Sequence, residues 1–168
     1  MRAILCMAVL LALAGCGYRP LGSGEVSALQ PSIRTISIGT LKNHTLRPNI
    51  HPALKDALIR KFASENRIRV VEEGADAILE GAIEGFGEEP LAFSSADTAK
   101  RLRMNISFSF TLRNRVEDKV FLRDGVAGVA YYFTGTGIAA TRAAEDAATL
   151  RAVADLAEQV VSRVLDGV

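Results

Sequence analysis

The sequence has no tryptophan, two histidines and two cysteines, and its 20 basic and 19 acidic side chains leave a net charge of +1. A balanced charge does not supply the strongly basic surface typical of nucleic-acid binding, so no nucleic-acid partner is expected. Neither His44 nor His51 has a partner at metal-ligand spacing, and both cysteines lie in the first 16 residues. Motifs for a serine nucleophile, a zinc protease or a phosphate-binding loop are also missing. We therefore expect no enzymatic activity, no metal and no cofactor.

The two cysteines belong to an N-terminal targeting pattern. Arg2 precedes an apolar run over residues 3–13, which is too short to cross a bilayer as a helix because a spanning helix needs about 20 residues. The run ends in Ala14-Gly15-Cys16, which resembles a bacterial lipobox. We predict that residues 1–15 are a lipoprotein signal peptide, that Cys16 is lipidated, and that residues 16–31 are a flexible tether. Two or three acyl chains would anchor the protein stably in a membrane.

Residues 32–168 are predicted to form one domain. The pattern indicates a strand at about 33–41, a helix capped by Asn49 or His51 that ends near Ser64, a short strand at 68–71, a strand at 76–86 and a loop at 87–99. From Arg101 to Arg115, polar and apolar residues alternate strictly, which predicts a long strand with one buried face.

After a turn at Glu117-Asp118, a return strand is expected to run from Lys119 to about Phe133, with a bulge at Asp124-Gly125. The last element is predicted to be a helix from about Arg142 to Leu165. Its apolar stripe comprises Ala143, Ala147, Leu150, Ala154, Ala157, Val161 and Val164. A coiled coil would give a similar stripe, but an alanine-rich seam buries little area, which favours packing on the sheet. The fold class is α+β: a two-layer sandwich with two helices on one face of a mostly antiparallel four-stranded sheet.

The candidate binding residues are cations at one end of the predicted hairpin. Arg113 and Arg115 end the long strand, while Lys119 and Arg123 begin its partner, so antiparallel pairing brings them together. Arginine forks suit phosphate and carboxylate groups. The alternative is an ordinary solvated sheet face, in which Glu80 and Glu84 neutralise Arg101 or Arg103.

Several motifs in a fixed order carry a family resemblance. They are Gly15-Cys16-Gly17-Tyr18, Ile36-Ser37-Ile38, Asn43-His44-Thr45, Leu54 to Arg60 with Phe62, Arg69 to Glu72, Ala75 to Gly81, Thr111 to Arg115, Tyr131-Tyr132 and the alanine-rich last helix. Together they make the chain similar to the lipopolysaccharide-assembly lipoproteins of the LptE family, also called RlpB.

The resemblance implies both a location and a function. Members of this family are lipid-anchored in the cell outer membrane, face the periplasm, and carry two helices on a four-stranded sheet. They plug the lumen of the β-barrel LptD, assist its assembly and help insert lipopolysaccharide into the outer leaflet. Basic residues bind lipopolysaccharide, which makes Arg113, Arg115, Lys119 and Arg123 the candidates here. Gly17, rather than Asp, after the cysteine is compatible with outer-membrane sorting.

Two other functions fit parts of the pattern. The opening strand and helix, with Val70-Val71 and Leu79-Glu80-Gly81, also resemble lipoprotein activators of peptidoglycan synthases and curli-secretion lipoproteins. Those proteins need more helix between the central strands than residues 87–99 supply, so the first resemblance is favoured. A small periplasmic hydrolase has no supporting constellation of residues.

Overall fold

A computed structural model describes residues 33–93 and 99–166 of the chain. The predicted signal peptide, Cys16 and the tether lie outside these residues. The elements in chain order are β1 (Thr35–Asn43), α1 (Ile50–Ser64), β2 (Arg69–Val70), β3 (Ala77–Phe93), β4 (Ala99–Asn114), β5 (Val120–Phe133) and α2 (Ile138–Asp166). Among the described residues, no helix has the length and apolar character needed to cross a bilayer.

The sheet has five strands in the order β2-β1-β3-β4-β5, and it is mixed. β1 pairs in parallel with both neighbours, while β3, β4 and β5 pair antiparallel. The α+β class with two helices is confirmed, but the sheet has five strands and not the predicted four, and the strand pairing along β1 is parallel. The difference arises because α1 returns the chain to the starting end of β1, where the two-residue β2 adds in parallel.

Both helices cover the same face of the sheet. On β4 the alternation holds as predicted: Met104, Ile106, Phe108, Phe110 and Leu112 are buried. Across the sheet the buried residues stand in register, with Leu79 opposite Leu112 and Ile83 opposite Phe108. The helices supply the rest of this core, including Phe62 of α1 and Leu156 of α2. No helix within residues 33–93 and 99–166 covers the other face of the sheet.

The β3–β4 hairpin is longer than predicted. Residues 87–93 belong to β3, and β4 begins at Ala99, so the predicted loop at 87–99 is wrong over most of its length. Gly87 and Pro90 suggested a loop. However, β1 pairs with β3 only as far as Ile83, so the remainder of β3 is an edge strand, where proline is tolerated.

The bulge in β5 is also displaced from its predicted position. Pairing is continuous through Asp124 and Gly125, and the register shifts instead between Leu112 and Arg113 of β4, which leaves Phe121 as the extra residue. Asp124 is accommodated in the strand, since its carboxylate accepts a hydrogen bond from the N–H of Gly125 at 2.7 Å.

α1 starts where expected, but without the predicted side-chain cap. Asn49 is the first flanking residue and has left-handed backbone angles (φ 61°), and its side chain makes no capping hydrogen bond. The loop before it is fixed instead by Arg47, whose guanidinium pairs with Glu145 and, at 3.0 Å, with Asp146 of α2.

α2 packs on the sheet as predicted, but only the second half of the predicted stripe is buried. Ala157, Val161 and Val164 are in the core, whereas Ala143, Ala147, Leu150 and Ala154 are exposed. A strict seven-residue repeat drifts by about 20° per heptad around a straight helix, so a stripe three heptads long rotates off the sheet at one end. The buried row there is Ala148, Ala152 and Leu156.

α2 approaches the sheet closely at Gly128 of β5. A Cβ atom at this position would lie 2.1 Å from the backbone carbonyl oxygen of Ala152, a distance that no side chain tolerates. The glycine therefore allows the helix backbone to approach the strand directly.

Candidate functional site

The candidate site lies on the face of the sheet that the helices leave uncovered, called here the open face. On β4 it consists of Asn105, Ser107, Ser109, Thr111 and Arg113, which alternate with the buried core residues. One face of β4 therefore packs in the core, and the other face carries polar side chains that remain in contact with water.

A groove of about 630 Å³ crosses the open face near the turn between β4 and β5. Its charged or titratable lining residues are Lys42, His44, Glu80, Arg113 and Arg123. The strand register explains how they meet: Thr111 lies opposite Glu80 on one side and opposite Arg123 on the other, and Lys42 lies opposite Ala82. Three cations and one carboxylate from four strands therefore line one groove.

The structure brings together two of the four predicted cations. Arg113 and Arg123 line the groove, and Arg113 also pairs with Asp118 of the turn at 3.0 Å. Arg115 and Lys119 are exposed at the turn and are not among the groove-lining residues. Their backbones hold the turn in place: the N–H of Arg115 donates to Asp76, and the carbonyl of Lys119 accepts from Asn114.

Lys42 is a groove residue that the sequence analysis missed. The predicted β1 ended near residue 41, which placed Lys42 in a loop, whereas β1 continues to Asn43. A register shift after Ile38 accompanies this extension, and Gly39 sits at that point in the sequence. A glycine within an alternating run is the one signal that could have indicated such an irregularity.

The predicted neutralisation of Arg101 or Arg103 by Glu80 or Glu84 is wrong. Arg103 lies opposite Glu89, with 4.0 Å between guanidinium and carboxylate, and Arg101 stacks on Tyr131. The register places Glu80 and Glu84 nearer the turn than these arginines, because β3 extends to Phe93.

Glu84 joins His44 and Ser109 in a hydrogen-bonded row on the open face. Ser109 donates its hydroxyl to Glu84 at 2.7 Å, and the Nδ1 atom of His44 lies 3.0 Å from the other carboxylate oxygen. The bond from Ser109 and then that from His44 lower the pKa of the Glu84 carboxyl, so it is ionised at neutral pH. The serine bonds to the carboxylate and not to the imidazole, so these three residues lack the order of a nucleophilic triad.

The groove can bind anionic groups through direct, charge-assisted hydrogen bonds. Arginine forks at Arg113 and Arg123 and the ammonium of Lys42 supply donors from three strands of a rigid sheet. Across residues 33–93 and 99–166, no group of three His, Cys, Asp or Glu side chains is arranged to hold a metal ion.

Comparison with known proteins gives one family and a set of related folds. The LptE family model, described as lipopolysaccharide-assembly, matches residues 33–164. No protein of curated function matches the sequence.

Three solved structures show the same fold. The minor lipoprotein of Acinetobacter baumannii has 9% identity and a TM-score of 0.57, covering 80% of this chain and 92% of its own. Lipoprotein B of Nitrosomonas europaea has 16% identity and a TM-score of 0.56, covering 84% and 86%. The rare lipoprotein B of Shewanella oneidensis has 10% identity and a TM-score of 0.53, covering 77% and 92%.

Proposed function

This chain belongs to the LptE family of lipopolysaccharide-assembly proteins, and from that premise we propose that it is a non-enzymatic, lipid-anchored lipoprotein of the outer membrane. It occupies the lumen of the LptD β-barrel, assists the assembly of that barrel and helps insert lipopolysaccharide into the outer leaflet. Its anchor is Cys16, and its domain faces the periplasm.

The observation that carries this proposal is the open face. One side of the sheet is sealed by two helices, and the other presents a wide polar surface with a cation-lined groove. The interior of a large outer-membrane barrel is polar, so a polar sheet face is complementary to its wall. A helix-covered face alone would not provide such a surface.

The groove gives lipopolysaccharide a specific point of contact. Lipid A phosphates need several positive donors at once, and Arg113, Arg123 and Lys42 lie together in the groove. Arg115 and Lys119, at the adjacent turn, extend the positive surface and remain candidates. Glu80 lies in the same groove, and Asp118 pairs with Arg113. An anionic ligand must therefore compete with these carboxylates for the cations, which phosphate groups can do because they form strong charge-assisted hydrogen bonds with arginine.

Binding is tested by paired variants of the full chain. Arg113→Gln with Arg123→Gln should weaken lipopolysaccharide binding by at least about ten-fold, since a hydrogen bond to a charged group contributes about 1.5–3 kcal/mol. Arg115→Gln with Lys119→Gln removes the same charge from the turn and measures its separate contribution. Lys55→Gln with Arg60→Gln, on exposed positions of α1, is the matched control. Equal weakening in all three double variants would indicate diffuse charge attraction and contradict a groove site.

The partner is tested by deletion and co-purification. Loss of the protein should reduce the amount of correctly folded LptD, assayed by its heat-modifiable migration, and the tagged protein should retain LptD through detergent extraction. Normal barrel assembly and normal lipopolysaccharide export in the deletion strain would overturn the proposal and favour a role as a lipoprotein activator.

The anchor is tested at Cys16. Cys16→Ser removes the sulfur that lipidation requires, so the protein should accumulate as an unprocessed precursor, detectable by intact mass. Cleavage of this variant before residue 16 at the normal rate would contradict lipidation.

A further inference from the structure

Exposed apolar side chains gather at one end of the molecule. Nine large hydrophobic residues are exposed among those described, and five of them lie where β3 ends, β5 ends and α2 begins. These are Leu91, Phe93, Tyr131, Phe133 and Ile138, with exposures of 45%, 57%, 46%, 64% and 77%. We call this set the apolar end.

Strand pairing explains the clustering. Phe133 lies opposite Arg101, which lies opposite Ala92, and Phe93 follows one residue further out, opposite Ala99. After β5 the chain reaches Ile138 within five residues, which keeps the start of α2 at the same end. Single exposed apolar residues are ordinary on a protein surface, but several of them gathered at one end are typical of a surface that contacts something apolar.

Two cations, Arg101 and Lys100, lie at the apolar end. The guanidinium of Arg101 lies 5.0 Å from the ring centre of Tyr131 and 5.9 Å from that of Phe133. Lys100, which precedes Arg101 in β4, is also exposed.

Within the described parts of β3, the two acidic residues near this end, Glu88 and Glu89, already have partners. Glu89 lies 4.0 Å from Arg103, and Glu88 accepts a hydrogen bond from Tyr132 at 2.9 Å. The first turn of α2 contains no acidic residue. The surface is therefore both apolar and positively charged.

We propose that the apolar end binds the surface of an anionic phospholipid membrane. Aromatic and aliphatic side chains beside lysine and arginine are the composition that settles at the boundary between headgroups and acyl chains. Phe93 and Phe133 enter that boundary, while Arg101 and Lys100 contact the lipid phosphates. We expect the protein to make this membrane contact when it is not inside a barrel. The proposal therefore does not depend on the proposed plugging of LptD.

The opposite end of the hairpin provides an internal control. Val116, in the turn between β4 and β5, is 89% exposed, and Val120 is the other exposed large apolar residue nearby. That end has neither aromatic side chains among its exposed residues nor a stacked arginine. A membrane contact specific to the apolar end should leave Val116 in water.

Because the sequence has no tryptophan, one substitution introduces a unique fluorescent probe. Phe133→Trp and Val116→Trp full chains are added to vesicles of phosphatidylglycerol and phosphatidylcholine with brominated acyl chains, which quench tryptophan on contact. We expect at least two-fold stronger quenching at position 133 than at 116, and weaker quenching at 133 on phosphatidylcholine alone. Any N-terminal anchor acts equally on both variants. Equal quenching, or none at position 133, would overturn the proposal and leave a protein partner as the occupant of this surface.

The charge contribution is measured in the Phe133→Trp background. Arg101→Gln should shift the equilibrium between membrane-bound and free states of this end by about five-fold, the factor expected for one positive charge at an anionic surface. Arg60→Gln removes the same charge from an exposed position on α1 and should leave quenching unchanged. An equal effect of the two substitutions would show non-specific attraction and contradict the assignment of Arg101.

Discussion

The carboxylate of Asp155 on α2 accepts a hydrogen bond of 2.8 Å from the backbone N–H of Val129 on β5. One turn further along the helix, Gln159 donates to the carbonyl of Ala127 at 2.9 Å, and one turn earlier Arg151 donates to the carbonyl of Tyr131 at 2.9 Å. β5 is an outer strand of the sheet and pairs with β4 on one side. The side chains of α2 therefore form hydrogen bonds with backbone groups on the other side of β5.

Replacing Asp155 should destabilise the fold. Asp155→Ala leaves the N–H of Val129 without its acceptor in a half-buried position, which should reduce the free energy of unfolding by about 1–3 kcal/mol. Urea denaturation followed by circular dichroism measures the change. Glu158→Ala, an exposed position on the same helix, is the control and should have almost no effect. Equal stabilities of the two variants would show that the bond to Val129 contributes nothing.

Gly128 should not accept even a methyl group. Gly128→Ala places a Cβ atom against the carbonyl of Ala152, so α2 must shift away from β5, at a cost of about 1–3 kcal/mol. Gly87→Ala, where a Cβ atom meets nothing within 4 Å, is the matched substitution and should be neutral. The two thermal midpoints, measured side by side, test the close approach. An unchanged midpoint for Gly128→Ala would mean that helix and strand are further apart than described.

Asp76 should contribute stability that disappears in acid. The backbone N–H of Arg34, then the hydroxyl and N–H of Thr35, donate to its carboxylate and lower its pKa from the ordinary 3.8. Since the folded state holds the carboxylate ionised, this contribution is present above about pH 4 and is lost as the pH falls through the lowered pKa.

The test compares Asp76→Ala with the unchanged protein in urea at a series of pH values. Asp76→Ala should have a lower free energy of unfolding than the unchanged protein at pH 7. The difference between the two free energies should become smaller below pH 4. Asp56→Ala, which removes a carboxylate from an exposed position on α1, is measured in parallel as the matched control. A difference that stays constant down to pH 2 would mean that the charge of Asp76 does not matter.

Tyr132 should titrate above its ordinary value of 10. Burial, and then the hydrogen bond to Glu88, raise the pKa of its phenol. The folded state therefore retains this proton. The contribution of the protonated phenol to the free energy of unfolding is complete below about pH 10 and is lost as the pH rises further. Ultraviolet titration of tyrosinate should show a late step that Tyr132→Phe removes, while Tyr131→Phe, at an exposed position, keeps it. A late step that survives in Tyr132→Phe would belong to another residue.

Local patterns predicted the parts of the fold that depend on local geometry. Alternation along β4 placed its buried and polar faces correctly, because successive side chains of any strand point to opposite faces. It also placed Arg113 and Arg123 on one surface, since the pairing of a hairpin follows from its turn. The parallel pairing of β1 with β2 and β3 depends on contacts between residues far apart in sequence, and no local pattern encodes it.

The errors at the candidate site have the same origin. Lys42 enters the groove because β1 continues beyond its irregularity after Ile38 to pair with β3 again. The apolar end was not anticipated because Gly87 and Pro90 suggested a loop, and only the extended pairing of β3 with β4 brings Phe93 near Phe133. In both cases a strand continues past glycine or proline, which are uncommon inside strands.

The hydrogen bonds from α2 to β5 also affect how readily two molecules can associate through their sheets. A β-sheet tends to recruit strands from neighbouring molecules wherever a long outer strand keeps its backbone groups free, which is a common route to aggregation. The outer edge of β5 has the backbone of Ala127, Val129 and Tyr131 already bonded to side chains of a helix. Along this stretch of β5, those backbone groups are not free to pair with a strand of a second molecule, even when many copies are crowded together.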